Sequence, residues 1–308
     1  MKRKWHVDSI ALILILSLFG GMAMASGSSN SDTKQSITGA SSNAENANSD
    51  TSSDSESEEN APETTIDEQV LVDESGLKIT ATEYVYDSIW GEGVKLLIEN
   101  TSDSDYQIAC DALIVNDYMI TDLFSSEITA GRSANETMYL YNSELEDAGI
   151  ENVGKIEIDF RVFDPETFET VFDPDMVTIE TSNYAAMDTD IDVDGFELYN
   201  SDGIRIVGQY VDDSIWGTAV LLYVENNTDR NIVVTCDTMA INNFMVNGYF
   251  YSDVYSGKKA FDTITVLSSD LEENNITTIE NIAVDFHISD ANTYETIADT
   301  GEIEFSVT

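Results

Sequence analysis

Aromatic residues in a repeated loop are the first side chains in this sequence that could contact a ligand. Trp90 lies in the five-residue segment 87–91, and Trp216 lies in an identical segment, 213–217. An indole ring on a loop can stack on a sugar ring or anchor a partner protein. The other interpretation, which we favour on sequence alone, is that each Trp closes the open end of a hydrophobic core.

A second aromatic position follows two short turns. Tyr118 comes after the turn residues 116–117, and Phe244 comes after 242–243. Asn and Asp favour such turns because their side chains bond to nearby backbone groups. Both aromatics are candidates for contact with a partner, and packing beneath a hairpin is the preferred explanation.

An acidic stretch between the repeats has the spacing of a calcium-binding loop. Asp190, Asp192 and Asp194 alternate along the chain and are followed by Gly195. A complete loop has a bidentate Glu at its twelfth position, and this chain has Ser201 there. A solvated acidic spacer is the favoured interpretation, with Ca²⁺ as the alternative, and no other metal or cofactor is expected.

The sequence offers little for catalysis. Apart from His6 near the N-terminus, His287 is the only histidine, and Arg161 stands at the equivalent position of the other repeat. There is no nucleophile motif, no zinc-type His/Cys spacing and no phosphate-binding glycine loop. A carboxylate-based hydrolase stays open as an alternative because acidic residues are abundant. We expect the protein not to be an enzyme.

Two cysteines, Cys110 and Cys236, are too few for a disulfide-stapled scaffold. Strand alternation predicts that each thiol faces a core together with neighbours of the same parity. These neighbours are Ile108, Ala112 and Ile114 for the first thiol, and Ile232, Val234 and Ala240 for the second. A disulfide, within or between chains, is the alternative.

The N-terminus has the three parts of a secretory signal peptide. Basic residues at 2–4 precede an apolar run at 10–19, and small residues at 23–25 offer a cleavage site. We therefore predict a signal peptide at 1–25 and export, to the medium or the cell surface, with retention as a membrane anchor as the alternative. Residues 26–66 are rich in Ser, Asn, Asp and Glu and are predicted to be a disordered tether.

The formal net charge of −46 constrains the partners. Nucleic acids and anionic membranes are unsuitable partners because binding them requires many basic contacts. We expect neither nucleic-acid binding nor membrane insertion after signal cleavage. An extracellular protein, above all one with a basic surface, or a glycan is compatible with this charge.

The chain carries an internal duplication. At an offset of 126 residues the segment 87–173 matches 213–299 without a gap. We divide the rest of the chain accordingly into a first repeat (67–182), an acidic linker (183–193) and a second repeat (194–308).

Hydrophobic residues alternate with polar ones inside each repeat, as at 156–162 and 282–288. A period of two predicts strands with one buried face. We count seven or eight strands per repeat and one short helix at 143–149, capped by Ser143. The predicted fold is all-β, with two tandem antiparallel β-sandwiches.

A family resemblance rests on several short segments, namely 76–79, 90–91, 94–100, 116–119, 130–131 and 143–146. In these the chain resembles the immunoglobulin-like tandem repeats of proteins secreted by clostridia-type bacteria. It is also similar in outline to the immunoprotective extracellular antigen fold of mycobacteria. The resemblance implies an extracellular Ig-like sandwich and brings no catalytic residues.

Two functional hypotheses from different classes follow, beside the hydrolase. The first is an extracellular binding or adhesion module, and the second is a structural spacer without a ligand of its own. Exposure of Trp90 and Trp216 separates them, because exposed indoles favour binding and buried indoles favour the spacer.

Overall fold

The computed structural model describes residues 34–39, 64–187, 189 and 193–307. Within these ranges the protein is all-β, as the alternating pattern predicts. No helix in the same ranges is long and apolar enough to cross a membrane. The predicted signal peptide lies outside the described residues.

The first repeat consists of two layers of antiparallel strands. One layer is a four-stranded sheet of β2 (Gln69–Glu74), β3 (Leu77–Asp87), β4 (Gly91–Asn100) and β8 (Ser133–Leu140), adjacent in that order. The other layer contains β5 (Tyr106–Val115), β6 (Tyr118–Ile120), β7 (Ser125–Ile128), β9 (Lys155–Phe163), β10 (Thr170–Phe172) and β11 (Val177–Glu180). Helix α1 (Asn142–Asp147) connects β8 to β9.

The second repeat has the same order of elements. Its first layer contains β12 (Phe196–Ser201), β13 (Ile204–Ser214), β14 (Gly217–Asn226) and β18 (Lys259–Leu267). The other layer contains β15 (Ile232–Ile241), β16 (Phe244–Val246), β17 (Tyr251–Val254), β19 (Asn281–Asp290), β20 (Thr296–Asp299) and β21 (Ile303–Val307). Helix α2 (Ser268–Glu273) connects β18 to β19, and a 3-10 turn, Tyr184–Ala186, precedes the repeat.

Side chains from both layers fill a hydrophobic core in each repeat. Ile156, Ile158, Phe160 and Val162 of β9 are all at most 1% exposed, which confirms the predicted alternation. Among the described residues, the buried cluster of the first repeat includes Val207 and Tyr223 of the second repeat. The buried cluster of the second repeat includes Ile37, which precedes both repeats. Strand pairing nevertheless continues between the repeats, so the division into two domains stays a prediction.

The structure corrects the count of strands and the start of the helix. Each repeat has ten strands, since several are only three or four residues long and show no clear alternation. Helix α1 begins at Asn142, after Tyr141, and no side chain caps it. The prediction that Ser143 caps the helix is therefore wrong.

Part of the predicted tether is a strand. β1 (Gln35–Gly39) pairs antiparallel with β13 and then with β21. Its Ile37 is 5% exposed and belongs to the second core, and Ile66 forms a bridge with Thr181. The prediction of disorder is wrong at these positions, because neighbouring strands supply partners for the backbone groups of an otherwise polar segment. Residues 40–63 lie outside the described ranges.

A β-bulge in β5 changes which residues face the core. The register with β9 shifts between Cys110 and Ala112, so Asp111 is the extra residue. After the bulge, Leu113 and Val115 join the core cluster, one position out of phase with the predicted face. Ala112 and Ile114 are buried as predicted, at 4% and 0% exposed, but they do not belong to the core cluster, because the inserted residue reverses the alternation.

The equivalent bulge in β15 places Asp237 as the extra residue between Cys236 and Thr238. Here Met239 and Ile241 enter the core instead of Ala240. Cys110 and Cys236 are both free and half-buried, and each packs against its core cluster. Burial raises the pKa of Cys110 and raises that of Cys236 to about 11, so neither thiol is a ready nucleophile at neutral pH.

The repeats contact each other through β6 and β18, which pair in parallel with Tyr118 opposite Lys259. The Phe261 ring stacks on Tyr118 at a centroid distance of 5.8 Å and lies 5.3 Å from the Tyr223 ring. Tyr118 is completely buried there. The hairpin tip of the first repeat thus packs on the outer face of the second.

A group of four charges lies beside this aromatic contact. Lys258 Nζ and Lys155 Nζ are each 2.6 Å from Asp117 Oδ1, and both also contact Glu157. All four side chains are at most 25% exposed. Burial alone would raise the pKa of Asp117, but hydrogen bonds from Lys155 and Lys258 lower it below its ordinary value.

Lys258→Met should lower the free energy of unfolding by about 2 kcal/mol, because it leaves two partly buried carboxylates with one ammonium group. Urea unfolding at pH 7 measures this change. Lys78→Met is the control, since the Lys78 side chain is 42% exposed and lies 3.8 Å from Glu99, and should cost less than about 0.5 kcal/mol. Equal effects of the two substitutions would contradict the proposed role of Lys258.

Several partly buried carboxylates have raised pKa values. Burial raises the pKa of Asp262 to about 6, and burial with the charges of Asp111 and Asp262 raises that of Asp253 to about 6. Burial also raises the pKa of Glu144 to about 7 and that of Asp122 to about 6. Near pH 5 the folded protein therefore holds protons that the unfolded chain has released.

Stability should consequently fall as the pH rises from about 4 to about 7, because the folded state binds more protons than the unfolded state in this range. We expect a higher thermal midpoint at pH 5 than at pH 7.5. Asp262→Asn removes one of these titrating groups and should reduce the difference between the thermal midpoints at pH 5 and pH 7.5. A wild-type midpoint that is lower at pH 5 would refute the prediction.

Candidate functional site

Each tryptophan turn presents two apolar side chains to solvent. In the turn between β3 and β4, Ile89 is 82% exposed and Trp90 is 54% exposed. In the turn between β13 and β14, Ile215 is 66% and Trp216 is 38% exposed. The prediction that each Trp closes a core is wrong. This exposure is the arrangement that favours a binding module over a spacer.

Side chain to backbone hydrogen bonds hold the first turn. Asp87 Oδ1 accepts hydrogen bonds from the backbone N–H groups of Ile89 and Trp90, at 2.8 and 3.0 Å. These bonds lower the pKa of Asp87. The Trp90 ring lies 6.0 Å from the Tyr139 ring of β8. The indole therefore rests against the end of the sheet while much of its surface stays open.

The second turn has the same sequence but uses different acceptors. Ser214 Oγ accepts from the N–H groups of Trp216 and Gly217, at 3.3 and 3.2 Å. The carbonyl of Trp216 accepts hydrogen bonds from the backbone N–H and hydroxyl of Ser268, at 2.8 and 3.0 Å. Both turns are thus fixed before any ligand arrives, which reduces the entropy lost on binding.

The two hairpin candidates have different environments. Tyr118 is buried between the repeats, so it is wrong as a contact residue for an external ligand. Phe244, its equivalent, is 49% exposed, and the adjacent Met245 is 66% exposed. The first hairpin tip packs on the second repeat, whereas Phe244 remains accessible.

A further exposed aromatic position escaped sequence reasoning. Phe168 and Tyr294 are equivalent residues, 61% and 74% exposed, and have φ angles of 58° and 60°. Left-handed backbone is uncommon for bulky residues and marks positions to examine for function. The sequence offers one signal for this position, namely that both repeats have an aromatic residue there at the 126-residue offset. Their exposure is visible only in the structure.

These aromatics lie at the opposite end of each repeat from the tryptophan turns. In the first repeat, β4 starts at the tryptophan turn and ends where the chain leads into β5. The first residues of β5 pair with the last residues of β9, and Phe168 follows β9. Asp164 Oδ1 fixes this loop by accepting from the N–H groups of Glu166 and Thr167, at 2.9 and 2.8 Å.

The calcium candidates are mostly outside the description. Asp190 and Asp192 lie outside the described residues, and Asp194 is exposed. Among the described residues, Asp194 belongs to no group of three potential metal ligands. The calcium interpretation stays a prediction.

A cleft of about 420 Å³ in the second repeat lies between helix α2 and the β15–β16 hairpin. Asp237, Asp270 and Glu273 are the acidic residues that line it. Asp270 Oδ2 accepts hydrogen bonds from the backbone N–H and side-chain amide of Asn247, at 2.9 and 2.8 Å. Asp270 therefore ties the helix to the hairpin.

Comparison with known proteins gives no family. No protein-family model matches the chain, and no curated protein matches it in sequence. In structure it is similar to the Salmonella enterica SafA pilin in complex with the SafB chaperone, with 9% identity, 75% of this chain and 95% of that chain covered, and a TM-score of 0.22. It is also similar to a protein of unknown function from Porphyromonas gingivalis W83, with 14% identity, 69% and 89% covered, and a TM-score of 0.17. Scores this low carry no argument about function.

Trp90→Ala should change the free energy of unfolding by less than about 1 kcal/mol, because the side chain is more than half exposed. Phe160→Ala, in the same repeat, removes a ring that is 1% exposed and should cost about 3–5 kcal/mol. Urea unfolding compares the two variants. A cost for Trp90→Ala as large as that of Phe160→Ala would show that the indole belongs to the core.

Proposed function

We propose that the protein is an exported, non-enzymatic binding or adhesion module that contacts its partner through the tryptophan turns. One observation carries this proposal: both repeats expose an Ile-Trp pair on a turn that hydrogen bonds hold in place. Large exposed apolar groups on a well-solvated surface mark interaction sites.

Packing within the fold does not account for the exposed pairs. Ile89 and Ile215 direct most of their surface to water, and exposure of large apolar groups is unfavourable in a free monomer. Trp is enriched among the residues that dominate binding energy because it offers a large, rigid contact area. A partner that covers these rings would remove this surface from water.

The chemistry of the partner follows from the turns and the charge. A sugar ring offers an apolar face that stacks on an indole, and a surface protein offers an apolar pocket. The net charge of −46 favours a partner with a basic rim and disfavours anionic polymers. We therefore propose an extracellular protein or glycan as the ligand, and two turns per chain would strengthen attachment to a repeated ligand.

The test is binding of the full-length protein to a glycan array and to a panel of purified extracellular proteins, with and without Ca²⁺. A W90A/W216A double variant should lose at least about tenfold in affinity for each ligand found. An F168A/Y294A double variant is the matched control, since it removes two exposed aromatics from the opposite ends of the repeats. The control should bind as the wild type does.

Three outcomes would refute the proposal. Binding that survives in W90A/W216A and is lost in F168A/Y294A would move the contact surface to the other end. Binding that is equal in all variants would exclude both aromatic positions. Absence of binding to either panel would favour the spacer hypothesis.

A further inference from the structure

Three potential metal ligands lie together on neighbouring strands of the second repeat. Asp237 belongs to β15, His287 to β19 and Asp299 to β20, and their ligand atoms lie within 4.8 Å of one another. His287 and Asp299 are paired in register, with Nδ1 2.6 Å from Asp299 Oδ1. The three residues span 62 positions of the sequence, from 237 to 299, so no local spacing motif reveals them.

The β-bulge brings the third ligand into this group. Asp237 is the extra residue of β15, between Cys236 and Thr238. Bulges redirect side chains and are frequent next to functional sites. The side chains of Asp237 and Asp299 are exposed and that of His287 is half-buried, so an ion can reach the group from solvent.

In the first repeat, the equivalent position contains a positively charged side chain. The equivalent residues are Asp111, Arg161 and Asp173, each 126 positions earlier. Arg161 Nη1 lies 3.3 Å from Asp111 Oδ1. Burial raises the pKa of Asp111, the Arg161 charge lowers it, and the charges of Asp159 and Asp173 raise it. The guanidinium thus offsets part of the negative charge around Asp111.

The second repeat keeps both carboxylates but has an imidazole in place of the guanidinium. A neutral imidazole carries no charge and offers a nitrogen lone pair, whereas a guanidinium has none to offer. The same two aspartates therefore face a metal-ligating group instead of a permanent cation. A bound cation would restore the charge balance that Arg161 supplies in the first repeat.

We propose that Asp237, His287 and Asp299 bind one divalent transition-metal ion of the Zn²⁺ type at the position that the Arg161 guanidinium occupies in the first repeat. Imidazole with carboxylates suits such ions, while sites for Ca²⁺ and Mg²⁺ use oxygen ligands alone. Zinc ligands lie about 2.0–2.2 Å from the ion, so small rotations of exposed side chains close the site. Three protein ligands leave a coordination position for water or for a group of a partner.

The test is Zn²⁺ titration of the full-length protein by calorimetry at physiological salt, with NMR of the histidine ring protons as a second readout. The sequence has two histidines, so His6→Asn assigns the ring signals. We expect one Zn²⁺ per chain and perturbation of the His287 ring. His287→Arg copies the first repeat and should weaken this binding by at least about tenfold while the thermal midpoint without metal is kept.

Arg161→His is the complementary variant, because it recreates the second-repeat ligand set in the first repeat. It should raise the stoichiometry from one Zn²⁺ to two. Equal Zn²⁺ binding by the wild type and His287→Arg would overturn the proposal, as would an unperturbed His287 ring at saturating Zn²⁺. A stoichiometry that stays at one in Arg161→His would contradict the equivalence of the two positions.

Discussion

In each repeat, one inserted residue in a central strand determines which side chains of that strand face the core and which face solvent. Asp111 in β5 and Asp237 in β15 interrupt the register with β9 and β19. The bulge changes the parity of the core positions, so residues that alternation assigns to the surface become buried. It also places an exposed aspartate side chain on the strand, Asp111 in one repeat and Asp237 in the other. Core packing and the proposed ion site therefore share one backbone feature.

The two repeats use the same elements for different purposes. The β5–β6 tip is buried with Tyr118 against Phe261, while the β15–β16 tip leaves Phe244 exposed. Arg161 pairs with Asp111 at the position where we propose that His287 binds a metal. The tryptophan turns and the Phe168/Tyr294 position keep the same exposed character in both repeats, although Asp87 holds one tryptophan turn and Ser214 the other. Duplication thus preserved the architecture while individual positions diverged.

Much of the fold is predictable from the sequence because local alternation is strong in the long strands. The core positions of β9 followed from period two alone. The bulges were not predictable, since an inserted residue looks like a normal strand residue until its partner strand is known. For the same reason Asp237, His287 and Asp299 could not be grouped. The exposure of Trp90 was not predicted, because the sequence of the turn is the same whether the indole faces solvent or closes the end of the core.

The first repeat places its hairpin tip on the outer face of the second repeat, whereas the hairpin tip of the second repeat is exposed. At the positions of Lys259 and Phe261, which receive the first hairpin tip, the first repeat has Ser133 and Asn135. The free tip at Phe244 therefore finds no matching aromatic surface on the first repeat of a neighbouring molecule. Head-to-tail contacts that repeat without closure produce fibres. With Ser133 and Asn135 at these positions, the first repeat lacks the aromatic contact through which a second hairpin tip would continue such a series.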